Sequence, residues 1–113
     1  MNKEIKARWV AALRSGVYAQ TTGVLHNEKG YCCLGVLCDI HAQETNTPWV
    51  PDAFSFLYAD EINVLPSIVR KWAGLQRKDP TVKVDEGPEA LSNMNDTQRR
   101  TFAEIADAIE KGL

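Results

Sequence analysis

Apolar residues recur along this chain at helical spacing in three places and at strand spacing in fewer, and the changes of period mark its elements. In residues 3–15, Ile5, Trp9, Ala12 and Leu13 fall on one face at intervals of three and four, with Lys6, Arg8 and Arg14 elsewhere. The spacing predicts an amphipathic helix, with Asn2 as its N-cap and Gly16 at the left-handed stop. Residues 17–32 read as a hairpin or an extended loop. Val17, Tyr18, Thr21, Thr22, Val24 and Leu25 favour strands, and Asn27-Glu28-Lys29-Gly30 is turn chemistry. A second helix is expected over residues 33–42. Leu34, Leu37, Cys38 and His41 mark one face, but Cys33, Val36 and Ile40 make the rest nearly as apolar. A helix apolar most of the way round is a buried one, so it is expected at the centre of the core.

Pro48, Pro51 and Pro66 interrupt the next stretch, where Phe54, Phe56, Leu57 and Tyr58 suggest one short buried turn or helix. Pro66 then fits the first turn of a helix reaching Ala73, with Ile68, Val69 and Trp72 inward, Gly74 as the stop and Leu75 covering it. Residues 76–90 are polar, and Thr81-Val82-Lys83-Val84 alternates as a half-buried strand does. Near the C-terminus Thr101 and Glu104 form a capping box ahead of the stripe Phe102, Ile105, Ala106 and Ile109, which Gly112 ends. Asn95 or Asp96, with Gln98 as the reciprocal cap, is an alternative start. Together these elements predict an α+β fold over residues 1–113: one small domain with three to four helices packed on a short antiparallel hairpin or sheet.

With 113 residues there is room for one core and not for two ordinary domains. The hydrophobic share is 44% and the charged share 25%, a balance that excludes a disordered chain. A formal net charge of -2 gives no general attraction to nucleic acid polymers or anionic lipid. The charge is unevenly spread, however. Lys3, Lys6, Arg8 and Arg14 gather near the start, and Arg70, Lys71, Arg77, Lys78 and Lys83 gather later, so either patch could receive a small anion. Charges beginning at Lys3 do not read as an export signal, and the apolar run from Tyr31 to Cys38 is too short to span a bilayer. The expected compartment is cytoplasm, with no membrane partner. There the three cysteines stay reduced, and their odd number and the adjacency of Cys32 and Cys33 also argue against a disulfide framework.

Three chemistries compete for Cys32-Cys33-Leu34-Gly35-Val36-Leu37-Cys38. Cys33 at a helix N-terminus could be a nucleophile with His26 as base, since His41 lies about two helical turns away; this is the cysteine-dependent hydrolase. Against it, Cys33 surrounded by apolar residues is a small buried hydrophobe. Metal binding would use Cys38 and His41 at three-residue spacing with Cys32, Cys33 and His26, but there is one loose pair where a closed zinc site has two, so no metal is expected. The third chemistry is recognition of a nucleotide-like anion. There is no Walker loop or dinucleotide fingerprint. Tyr18, Tyr31 and Trp49 are available for stacking, Arg14 and the run from Arg70 to Lys78 for anions, and Gln20, Asn93 and Asn95 for base or sugar edges. No residue set points to a resident cofactor.

Four segments, WVAALRSGVYAQ at 9–20, YCCLGVLCDI at 31–40, LPSIVRKWAGL at 65–75 and LSNMNDTQRRTFAEIADAIE at 91–110, resemble a group of small phage-encoded accessory proteins. That group is marked by the Cys-Cys-Leu-Gly-Val-Leu-Cys core and a late Asn-Asp followed by Phe-x-x-Ile-Ala-Asp. The resemblance implies a protein directed at the host, in the host cytoplasm: one that counters antiviral defence by sequestering a small nucleotide-derived signal without catalysis, or one that inhibits a host enzyme or defence complex directly. The aromatic-rich stretch from Trp49 to Tyr58, if exposed, would anchor the second kind of contact. For the first, Arg14, Tyr18, Gln20, Asn95 and Arg100 are the expected ligand contacts, and a homo-oligomer is expected, because an interface lets a short chain enclose a ligand. The chain departs from the group after Asn95-Asp96, where Thr97-Gln98-Arg99-Arg100 stands in place of an expected glycine-containing turn.

Overall fold

Asn2 Oδ1 accepts the backbone N–H of Ile5 at 2.9 Å and starts α1, Lys3–Arg14, which buries Ile5, Trp9, Val10 and Leu13. The structure is a computed structural model that describes residues 1–84 and 87–113. After α1 the chain runs through an extended segment to two very short strands, β1 at His26–Asn27 and β2 at Gly30–Tyr31. The turn joining them is held by Asn27 Oδ1, which accepts the N–H groups of Lys29 and Gly30. On the free edge of β2, Tyr31 N–H donates to Ala19 O and Thr21 N–H to Tyr31 O, tying residues 19–21 to the sheet.

Helix α2, Cys33–Thr45, is the hub, as its composition predicts: residues 33–42 are all buried. It runs three residues past the expected end because Asn46 takes the left-handed stop at φ 56°. Gly35 is obligatory on this helix. A Cβ there would stand 1.8 Å from Leu25 O, so helix and loop approach at a distance that no side chain tolerates. Leu25 is pinned in that position, with its N–H on Ile62 O and its carbonyl accepting from Cys32 N–H.

The segment expected to hold a short buried turn or helix forms a hairpin instead, β3 Val50–Asp52 and β4 Ser55–Leu57. Pro48 and Pro51 disfavour helix there, and the β-formers Phe56 and Leu57 pair across to Pro51 and Val50. β4 also pairs with β1 through His26 and Phe56, giving one antiparallel sheet in the order β2-β1-β4-β3. A second reversal follows at Tyr58–Glu61, whose two backbone bonds close on Ala59 and Asp60, both at positive φ.

Pro66 precedes α3, Ser67–Ala73, and Gly74 stops it at φ 72° while Leu75 N–H returns to Arg70 O, as expected of that stop. Val69 and Ala73 are buried. Ile68, expected inward, is 52% exposed, because a helix this short lays only one narrow face on the core. Strand β5, Thr81–Val84, buries Val82 as the alternation predicts and pairs with β6, Gly87–Ala90. Helix α4, Leu91–Asp96, ends where the alternative start lay. The capping box of Thr101 and Glu104 opens α5, Phe102–Gly112, which packs along α1 and β5. Among the described residues the fold is therefore five helices with a four-stranded and a two-stranded antiparallel sheet around one core, an α+β fold as predicted, with more helices than expected. No helix of the described residues is long and apolar enough to cross a membrane.

Candidate functional site

Cys32, not Cys33, occupies the N-cap of α2, and its Sγ accepts Gly35 N–H at 3.4 Å. Cys32 is 6% exposed, while Cys33 and Cys38 have no accessible surface. Burial pushes the Cys32 thiol up to about 12 and those of Cys33 and Cys38 well above their ordinary value. The Cys33 thiol faces Leu91 O, at 3.7 Å. His26, its expected base, has Nδ1 on Gly30 O at 2.7 Å and its ring stacked between Tyr31 and Phe56. His41 Nδ1 meets the Tyr58 hydroxyl at 2.6 Å. These are the positions of packing groups. Among the described residues no group of three or more His, Cys, Asp or Glu side chains is placed to hold a metal ion.

Of the five expected ligand contacts, three come together. Gln20 Nε2 donates to Asn95 Oδ1 at 2.9 Å and to Arg100 O at 2.8 Å. Asn95 has no accessible surface. Its Oδ1 also accepts Cys33 N–H, and its Nδ2 donates to Thr21 O and Asp96 Oδ1, so its amide is spent on tying the 20–21 segment, α2 and α4 together. The Arg100 side chain is exposed, donating to Gln98 Oε1 and lying 3.7 Å from Glu104. Arg14 is elsewhere, clamping α1 to α5 through Asp107 at 2.6 Å and Glu110 at 3.1 Å; those bonds raise the pKa of its guanidinium. Tyr18 sits on a third surface, half-buried, donating to Asp39 Oδ2 at 2.6 Å.

Around Asp39 the three stacking residues do assemble. Tyr18 meets Tyr31 edge-on at 5.0 Å, Tyr31 meets Trp49 at 6.0 Å, and Trp49 Nε1 donates to Asp39 Oδ1 at 3.0 Å. Gln43 Nε2 supplies a further donor to Asp39 Oδ2 at 2.7 Å. Burial and then the bond to Asp39 push the Tyr18 hydroxyl above its ordinary pKa. The rings meet edge-on and their polar atoms converge on Asp39, so the cluster is a half-buried polar-aromatic patch beside α2. Asp39 was not singled out from the sequence, although a carboxylate inside an otherwise apolar helix is a legible signal.

The basic run opens on a groove. A depression of about 350 Å³ beside α3 is lined by Glu61, Leu65, Pro66, Ser67, Ile68, Arg70 and Lys78, with Ala59 at its rim. Among the described residues no ion pair involves Arg70, Lys71, Arg77 or Lys78. Asp79, the nearest acid in sequence, is engaged by the N–H and hydroxyl of Ser92. The Arg70 guanidinium makes one long hydrogen bond, from Nη1 to Gln76 O at 3.3 Å, and its buried Nε–H has no acceptor among the described residues. A buried donor without an acceptor costs about 1–3 kcal/mol. Ser67 and Glu61 complete the groove and were invisible in the sequence, because only the reversal at 58–61 carries Glu61 toward α3.

A model of the family described as a domain of unknown function (DUF8296) matches residues 1–113. No curated protein and no solved structure matches the chain.

Proposed function

The chain belongs to the DUF8296 family, whose function is unknown, and we propose that it binds and sequesters a small nucleotide-derived anion without transforming it. The observation that carries this reading is the basic run at residues 70–78, which no acidic side chain among the described residues neutralises and whose Arg70 and Lys78 line a groove within the size range of small-ligand sites. The sealed thiols support its non-catalytic half: a thiol held well above its ordinary pKa supplies little thiolate at neutral pH. The resemblance to small phage-encoded proteins supplies the setting, a phage protein in the host cytoplasm that withdraws a nucleotide signal from antiviral defence. In this reading the protein assembles as a dimer or larger, since the groove on one chain is open and a second copy closes over the ligand.

The test is capture and release. The protein is incubated with cyclic nucleotides and ADP-ribose derivatives, freed of unbound ligand and heated, and the released material is weighed against the input by mass spectrometry. Recovery of unchanged ligand is expected. Recovery of altered ligand, or of none, overturns the reading.

A second reading rests on Phe54, which stands 94% exposed at the tip of the β3–β4 hairpin. An aromatic side chain on a rigid hairpin is the kind of anchor that fills a partner's pocket, as a direct inhibitor of a host enzyme or defence complex requires. Phe54→Ser leaves nucleotide capture intact under the first reading and abolishes stoichiometric co-purification of a host protein under the second.

A further inference from the structure

We propose that the groove beside α3 is an oxyanion subsite for a nucleoside phosphate, with Arg70 and Lys78 holding the phosphate and Glu61 reading the sugar. This places a site inside the binding reading above and rests on it.

The groove is lined by groups of three chemically different kinds. Arg70 and Lys78 carry charges that no acidic side chain among the described residues neutralises, and Ser67 lines the same groove. The Arg70 guanidinium has five N–H donors and spends one, at 3.3 Å. Its buried Nε–H finds no acceptor among the described residues. A side chain so placed is deficient in acceptors, and a group bringing several anionic oxygens at once, held by a planar fork of donors, is the complement of that deficiency. Phosphate fits this description.

An acidic residue in the lining argues against a bare inorganic anion as the preferred occupant. Glu61 lines the same groove, and a carboxylate repels free phosphate while accepting from hydroxyl groups. Pro66 and the half-exposed Ile68 add an apolar part to the lining. Anion, hydroxyl donors and an apolar face in one ligand are the three parts of a nucleoside phosphate: phosphate, ribose and base. The carboxylate is thus the element of specificity, favouring the ribose-bearing ligand over the stripped anion.

The test measures binding of AMP and inorganic pyrophosphate by calorimetry at low salt, using wild type, Arg70→Gln, Lys78→Gln and Glu61→Gln. Lys78 is exposed, so its variant reports on the site even if replacing half-buried Arg70 disturbs folding. Lys78→Gln and Arg70→Gln are each expected to weaken AMP binding about tenfold or more, the size of one charge-assisted hydrogen bond. Glu61→Gln is expected to weaken AMP and to strengthen pyrophosphate. Wild-type binding of AMP that Lys78→Gln and Arg70→Gln leave unchanged overturns the subsite and leaves the binding reading standing. Pyrophosphate binding that these variants abolish, with no AMP binding to the wild type, keeps the oxyanion subsite and overturns the nucleotide reading. No binding of either probe overturns the subsite, while the binding reading stands or falls on the capture of cyclic nucleotides and ADP-ribose derivatives.

Discussion

Gly35 shows most sharply how a single residue carries the fold. A Cβ at this position meets the Leu25 carbonyl at 1.8 Å and its carbon at 2.7 Å, and both are backbone atoms that cannot swing aside. Gly35→Ala is therefore expected to destabilise the protein by about 3 kcal/mol or more, at the upper end of overpacking effects. A urea-unfolding midpoint close to the wild type would show that the approach can relax. The same close packing encloses the whole Cys-Cys-Leu-Gly-Val-Leu-Cys segment, every residue of which is buried. The thiols give the second residue-scale prediction. Cys32, Cys33 and Cys38 should resist a thiol reagent in the native state at neutral pH and all label after denaturation, because burial disfavours each thiolate. Fast native labelling of Cys33 would revive the hydrolase with His26 as base. Cys38→Ala should cost about 1–2 kcal/mol through the small cavity it leaves.

Among the elements, the reversal Tyr58-Ala59-Asp60-Glu61 departs from its own turn chemistry. Both central residues have positive φ, at 47° and 68°, which is the signature of a type I′ turn, and that turn prefers Asn-Gly. Ala59→Asn with Asp60→Gly should stabilise the protein by about 1 kcal/mol, visible as a higher thermal midpoint. An unchanged or lower midpoint would mean that Ala59 and Asp60 are already unstrained. Much at this scale was readable beforehand. Asn2, Gly74 and the Thr101–Glu104 box act locally, so their chemistry placed three helix ends before any tertiary contact was known. The β3–β4 hairpin was not readable, since an aromatic run between prolines has no period to separate strand from buried helix, and pairing with β1 settled it. Arg99 illustrates a departure with a consequence: where a glycine turn was expected, the chain places this arginine in the left-handed region at φ 53°.

At the scale of the whole molecule, His41 links stability to pH. The ring is buried against Tyr58 and Trp72, and burial holds its pKa below the ordinary value. The unfolded chain therefore takes up a proton first as the pH falls. The His41 contribution is complete above about pH 6.5 and is lost progressively as the pH drops below that value. His41→Gln should flatten the fall in urea midpoint between pH 7.5 and 5.5, and a parallel fall in both proteins would assign it to other groups.

The sequence by itself determined what depends on near neighbours: the α+β class, most of the helix ends and the burial of α2 with its cysteines. Periodicity and capping are properties of a few consecutive residues, so they survive without coordinates. Only the tertiary structure decided which charges meet. Arg14 and Arg70 look alike in the sequence, each a cation near the end of a helix. Folding lays α5 along α1 and neutralises Arg14 with Asp107 and Glu110, whereas it turns Arg70 toward a groove shared with Lys78 and Glu61. Likewise Gln20 meets Asn95 and Arg100, 75 and 80 residues away, because the packing that lets α2 and α4 share Asn95 also brings the 20–21 segment to them. Charge compensation is a long-range property of the chain's path, and that path is fixed by the packing of apolar faces rather than by the charges themselves.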